Sequence, residues 1–232
     1  VVDLALGEEP LYRLTGHWSA PELTLPKLLW FRAEEPAAWR RASSPLFIHD
    51  WVIYRLCGEK GTNPTMVCAG QMGDVGQRTW AGDLIGEMGL GLDKLPPVYE
   101  GGFQLGGLLD EVAHRVGLLP GTPVHIGGGD TQIGTLGVAA AEPGEVAIVA
   151  GSTAPIMMTT DRPMDDPKRY PWVSAHLRPG LWTAEMNAGH TGMIYKWFRE
   201  VLSEARGEQV ASEAELSYGS LDAAAAGAPI GS

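Results

Sequence analysis

The chain has 232 residues, 44% apolar and 19% charged, so it is long and apolar enough to bury a core and does not read as a disordered segment. Its formal net charge of −11 argues against a nucleic-acid backbone or an anionic membrane as partner, and no apolar run approaches the ~20 residues of a transmembrane helix. Cys57 and Cys68 are the only cysteines; with no CxxC spacing and no histidine at ligand spacing, they read as free thiols in a reduced compartment, and no metal ligands are assigned.

The first twenty residues, interrupted by Gly7, Pro10 and Gly16, look irregular. A helix is expected from about Pro26, since proline suits a first turn; Leu25, Leu28, Leu29 and Trp30 give it an apolar stripe and Pro36 ends it. A short helix is expected over 37–42, and another from about Phe47 to Leu56 that stops at Gly58. Residues 62–80 read as a long ordered loop with a helical turn inside. Helices follow over 83–88 and 108–116, with the turn-rich link LPPVYEGGFQLGG between them.

A short strand is expected over 122–126 and a helix over 130–139. Residues 147–150 and 154–159 read as two strands joined by the tight turn GST. A loop rich in proline and charge covers 161–171, and 181–187 fits another strand. The clearest helix is 192–205, with Ile194, Trp197, Phe198, Val201 and Leu202 on one face. The tail LDAAAAGAPIGS reads as a linker or a cut end, not as a folded terminus. Helices dominate the first half and strands appear after Pro123, which puts an expected domain boundary near 138–143.

Two motifs carry candidate chemistry. In GGGD, three glycines let the backbone turn sharply beside a ligand, and Asp130 falls where a helix begins. On the motif alone a helix cap is the better account; the alternative is a general base within reach of a substrate hydroxyl. A dinucleotide fingerprint is rejected, because Gln132 stands where its third glycine belongs. In GST, Gly151, Ser152 and Thr153 offer backbone N–H and hydroxyl donors to a phosphate, although on the motif alone an ordinary turn is the better account. Lys27 reads as a solvated charge. Asp50 of IHDW and Asn63 of TNPT read as cap and turn residues before they read as anchors of a cleft.

Taken in order, TLPKLLWF with the helices after it, TNPTMVCAGQMGDVGQRTW, the run into GGGDTQIGTLG, GEVAIVAGSTAPIMM and EMNAGHTGMIYKWFRE resemble the FGGY carbohydrate kinases over about residues 12–205. The resemblance implies an α/β, actin-like (RNase H-like) ATPase fold, present in part. Residues 1–138 would be the sugar-binding N-terminal domain without its first hairpin and phosphate loop. Residues 139–232 would be the start of the nucleotide-binding C-terminal domain.

The resemblance also implies a reaction, transfer of the γ-phosphoryl group of ATP to a sugar hydroxyl with Mg²⁺ as cofactor. It makes Asp130 the catalytic base and places Gln132 and Thr131 at the sugar. Gly151, Ser152, Thr153 and Gly192 would face the nucleotide. The wording GDTQIG and HTGMIYKWFR is most similar to the autoinducer-2 kinase branch, with xylulose or another ketose or polyol as the alternative substrate. Glu22 stands where glycerol kinases carry an aromatic residue, which argues against glycerol. A non-catalytic sugar-binding protein on the same fold is the alternative of another class. The expected partners are the sugar and ATP, with no nucleic acid and no membrane. A homodimer is left open, and the expected location is the cytoplasm. The chain by itself, lacking the family's DxGT phosphate loop and its adenine site, is expected to be inactive.

Overall fold

The computed structural model describes residues 7–205 and 216–229. They fall into two compact units, the first within 1–147 and 157–186, the second within 148–156 and 187–232.

The first unit opens with a helix, α1 (Glu8–Thr15), where the sequence suggested irregular chain. The residues that suggested a loop are its punctuation. Pro10 lies in the first turn, where its missing N–H has no intrahelical partner to lose, and Gly16 is the left-handed C-cap, donating to the Tyr12 carbonyl. The helices α2 (Thr24–Glu34), α3 (Pro36–Arg41) and α4 (Ile48–Cys57) follow as expected, the last closed by Gly58 in the left-handed conformation. Next come α5 (Pro64–Ala69), a two-residue ladder of β1 (Gly73–Asp74) on β2 (Thr79–Trp80), and α6 (Gly82–Glu87). One cluster joins Leu11 of α1, Leu25 of α2, Trp39 of α3, and Leu84 and Ile85 of α6.

The link expected to be all turn contains a strand, β3 (Gln104–Gly107), which pairs antiparallel with β4 (Pro123–His125) through a register shift between Gln104 and Gly106. Between them lies α7 (Asp110–Val116), shorter at its start than the expected 108–116. A second cluster packs Ile53 and Cys57 of α4 against Ala113 of α7 and Val124 of β4, so β4 is seated before the chain turns into α8 (Asp130–Gly137).

Four strands form one sheet in the order β5-β6-β8-β7, comprising β5 (Val146–Ile148), β6 (Pro155–Thr160), β7 (Trp172–Ala175) and β8 (Trp182–Asn187). Most of its residues belong to the first unit. The four residues of β7 were not expected as a strand. They pair with β8 in the register Trp172↔Glu185 and Ser174↔Thr183, which puts these four side chains on one face. Cys57 and Cys68 are both buried and unbonded, in different clusters.

In the second unit α9 (Thr191–Ala205) is the amphipathic helix expected from the sequence. The tail is a helix and not a linker over α10 (Tyr218–Ala225), capped by Ser217, whose hydroxyl accepts from the Ser220 N–H. Its alanine run is a strong helix former. The last part of that tail, 230–232, lies outside the described residues. Among the described residues no helix is long and apolar enough to cross a membrane.

Candidate functional site

The candidate centre is the turn from β4 into α8. Ile126 is buried at the end of β4, and Gly127, Gly128 and Gly129 lead to Asp130, the first residue of α8. A Cβ on Gly127 would lie 3.1 Å from Nε2 of His49, and one on Gly128 would lie 2.5 Å from Leu177 Cδ1 and 3.2 Å from Thr65 Oγ1. A Cβ on Gly129 would collide with the Gln132 side-chain oxygen. A side chain at any of the three would press on neighbours from α4, α5, α8 or the chain after β7, and Leu177 and Gln132 would have to move to admit it.

The same turn is held from α5. Asn63 is buried and caps that helix, accepting from the N–H groups of Thr65 at 2.9 Å and Met66 at 3.3 Å. Its side chain also accepts from the Thr65 hydroxyl, and Thr65 Oγ1 in turn accepts from the Gly129 N–H at 2.8 Å. Asp50 is buried at the start of α4, where it accepts from the Phe47 N–H at 3.3 Å and lies 2.9 Å from His49 Nδ1. Asn63 and Asp50 are caps, as their residue types suggested, and through Thr65 and His49 they also brace the glycine turn.

Asp130 is exposed. Its Oδ1 accepts from the Thr131 N–H at 2.8 Å and the Thr131 hydroxyl at 3.2 Å, and among the described residues Oδ2 takes no hydrogen bond. The N-cap position belongs to Gly129, so Asp130 is a first-turn acid, favoured there by the helix dipole. It lines a cleft of about 490 Å³ together with Thr131 and Gln132, which brings the three residues assigned to the sugar side to one surface.

Other walls of this cleft were not singled out in the sequence. His17 packs its ring 5.0 Å from that of Trp172. Burial pushes its pKa down to about 4, so the ring is neutral at pH 7; Nδ1 donates to the Thr15 carbonyl at 3.1 Å, and Nε2 carries the lone pair. Trp172, Ser174 and Glu185 come from the β7–β8 face. Desolvation raises the Glu185 pKa, and the charge of Asp130 adds to the rise. The period of two in WTAEMN could have flagged Glu185 as sharing a face with Thr183, but its partner strand β7 had no sequence signal.

In the second unit, Gly151 and Ser152 line a cleft of about 400 Å³ with Gly192, Tyr195 and Lys196. Gly192, in the first turn of α9, is forced to be glycine, because a Cβ there would run into the Gly151 carbonyl. The Met193 N–H donates to the Ser152 carbonyl at 3.4 Å, which fastens the helix start to the GST turn. The structure thus gathers Gly151, Ser152 and Gly192. Thr153 does not line the cleft; its carbonyl accepts from the Gly151 N–H at 3.2 Å and closes the turn. Among the described residues no group of three or more His, Cys, Asp or Glu side chains could hold a metal ion.

Residues 4–137 match the model of the FGGY family of carbohydrate kinases, N-terminal domain. The chain is 35% identical over 193 residues to the autoinducer-2 kinase of Yersinia enterocolitica serotype O:8, covering 83% of this chain and 36% of that protein. The autoinducer-2 kinase of Escherichia coli (strain K12) gives the same identity and the same coverage. The chain therefore spans about a third of the length of the curated relatives it matches. Among solved structures, xylulose kinase from Rhodospirillum rubrum superposes with a TM-score of 0.83 at 26% identity, over 97% of this chain and 44% of that one. Gluconate kinase from Lactobacillus acidophilus superposes with a TM-score of 0.81 at 22% identity, over 94% of this chain and 42% of that one.

Proposed function

The chain belongs to the FGGY family of carbohydrate kinases and carries part of the actin-like ATPase fold, and we propose that the whole protein transfers the γ-phosphoryl group of ATP to a hydroxyl of a small sugar or sugar-like compound. The observation that carries this reading is Asp130. One of its oxygens is held by Thr131, and the other, which takes no hydrogen bond among the described residues, sits at the wall of a cleft large enough for a five- or six-carbon substrate.

In the proposed reaction Oδ2 of Asp130 accepts the proton of the substrate hydroxyl as its oxygen bonds to the γ-phosphorus. The bond from that phosphorus to the bridging oxygen of ADP breaks. Thr131 fixes the carboxylate's rotation, and Gln132 and the neutral His17 offer hydrogen-bonding groups to the remaining hydroxyls. Gly151, Ser152, Thr153 and Gly192 form the proposed phosphate-facing turn. The backbone N–H groups of Ser152 and Gly192 and the Ser152 hydroxyl suit an anion there, while the Gly151–Thr153 hydrogen bond holds the turn's shape. Among the described residues no cluster of acids, histidines or cysteines would cage Mg²⁺, so the ion would be carried chiefly by ATP phosphates and water, where it would neutralise phosphate charge.

By the same reading residues 1–138 form the sugar-binding domain and residues 139–232 open the nucleotide-binding domain. The autoinducer-2 kinase relatives favour a linear dihydroxy-pentanedione as substrate. The likeness to xylulose kinase supports a ketose as the second reading. A coupled ADP-release assay on the complete protein, run against a panel of ketoses, polyols and the dihydroxy-pentanedione, tests the proposal. Substrate-dependent ADP release is expected, and its absence across the panel would overturn the kinase reading.

A further inference from the structure

The cleft holds a second carboxyl that the proposed reaction does not use. Glu185 lies on β8, opposite Trp172 of β7, and its side chain shares the sheet face that closes the cleft across from the start of α8. It is half-buried, and among the described residues its carboxyl takes no hydrogen bond and no ion pair. A carboxyl in that position costs the fold desolvation that no protein donor offsets. A ligand hydroxyl can supply the missing donor. Ser174, one strand over on the same face, also lines the cleft and presents a second polar group there.

The charge of this wall is one-sided. The cleft lining contains Asp130 and Glu185 and neither a lysine nor an arginine. His17 faces the same space as a neutral ring, and His49 has its Nδ1 turned to Asp50. A substrate bearing its own carboxylate would meet two acids in a partly dry space, where like charges repel far more than in water. A substrate bearing only hydroxyl and carbonyl groups would not.

We infer that Glu185 is a specificity-determining residue, which hydrogen-bonds a substrate hydroxyl and rejects acidic sugars in favour of neutral ones. The pKa of Glu185 is raised first by its own burial and then by the charge of the exposed Asp130, as a half-buried carboxyl near a like charge requires. The inference rests on the kinase reading, so its test separates the two.

Kinetics on the complete protein would use D-xylulose and the dihydroxy-pentanedione as neutral probes and D-xylonate as the matched acid. Wild type is expected to phosphorylate at least one neutral probe and to disfavour xylonate. Glu185→Gln keeps size and polarity but removes the charge. It is expected to raise the kcat/KM of xylonate relative to the neutral probe on the order of tenfold, mostly through KM. Glu185→Asp, which keeps the charge, should hold the wild-type preference; it also shows whether the position tolerates substitution. A wild type that turns over a neutral probe, with a preference that Glu185→Gln leaves unmoved, would overturn the role of Glu185 and leave the kinase reading standing. Preference of the wild type for xylonate would do the same. No turnover of any probe would overturn both.

Discussion

Thr65→Val tests the brace that holds the glycine turn. Thr65 is 1% exposed, and its hydroxyl donates to Asn63 while accepting from the Gly129 N–H at 2.8 Å. Valine has the same shape but neither function. Asn63 keeps its two backbone donors, at 2.9 and 3.3 Å, so the cap of α5 survives. The Gly129 N–H loses its acceptor in a crowded turn, which costs about 1–3 kcal/mol. Burying an extra methyl group returns somewhat less than the ~0.8 kcal/mol of a fully buried carbon.

The net expectation is a loss of about 1–2 kcal/mol in urea unfolding followed by circular dichroism. Thr65→Ser, which keeps both hydrogen bonds, should lose about 1 kcal/mol or less from its missing methyl. Because the turn places Asp130, kcat of Thr65→Val should also fall by about tenfold to a hundredfold in the complete protein. A valine variant as stable and as active as wild type would show that the Thr65 hydroxyl does not hold the turn, as would a serine variant that is the worse of the two.

Two further outcomes follow from single residues. His17 is buried and neutral, with a folded pKa of about 4 against the ordinary 6.5, so below pH 6.5 the unfolded chain binds a proton that the folded chain does not. Stability should therefore be intact above about pH 6.5 and decline as pH falls from there to about 4, by up to roughly 3 kcal/mol. His17→Phe should flatten that part of the pH profile in urea melts, and an unchanged slope would refute it. Gly192→Ala forces a methyl group into the Gly151 carbonyl and should weaken ATP binding by tenfold or more while leaving sugar binding intact, measured by titration calorimetry.

Much of the fold was legible because its boundaries are chemical. Pro36 separates two helices, Gly58 ends one, and GGGD marks a strand-to-helix turn. The same punctuation misled at α1, where Pro10 and Gly16 serve as first-turn and cap residues and not as breakers. β3 and β7 were hidden for a different reason. Each is four residues long, and pairing with the next strand in the chain, not local propensity, makes it a strand.

The candidate site divides along the same line. Asp130, Thr131 and Gln132 are contiguous, so one motif reveals them. Glu185, His17 and Trp172 reach the cleft only through the β7–β8 pairing and the packing of the chain around it. Asn63 looked like an ordinary cap residue and is one, but Thr65, which was not singled out, has a hydroxyl partner 64 residues away in sequence.

The most direct test of the account is Asp130→Asn in the complete protein, assayed for phosphoryl transfer and for sugar binding. In this variant kcat should fall by ~10²–10⁴ while the sugar still binds, because the amide keeps the shape but cannot take the proton. Wild-type turnover in that variant would contradict it.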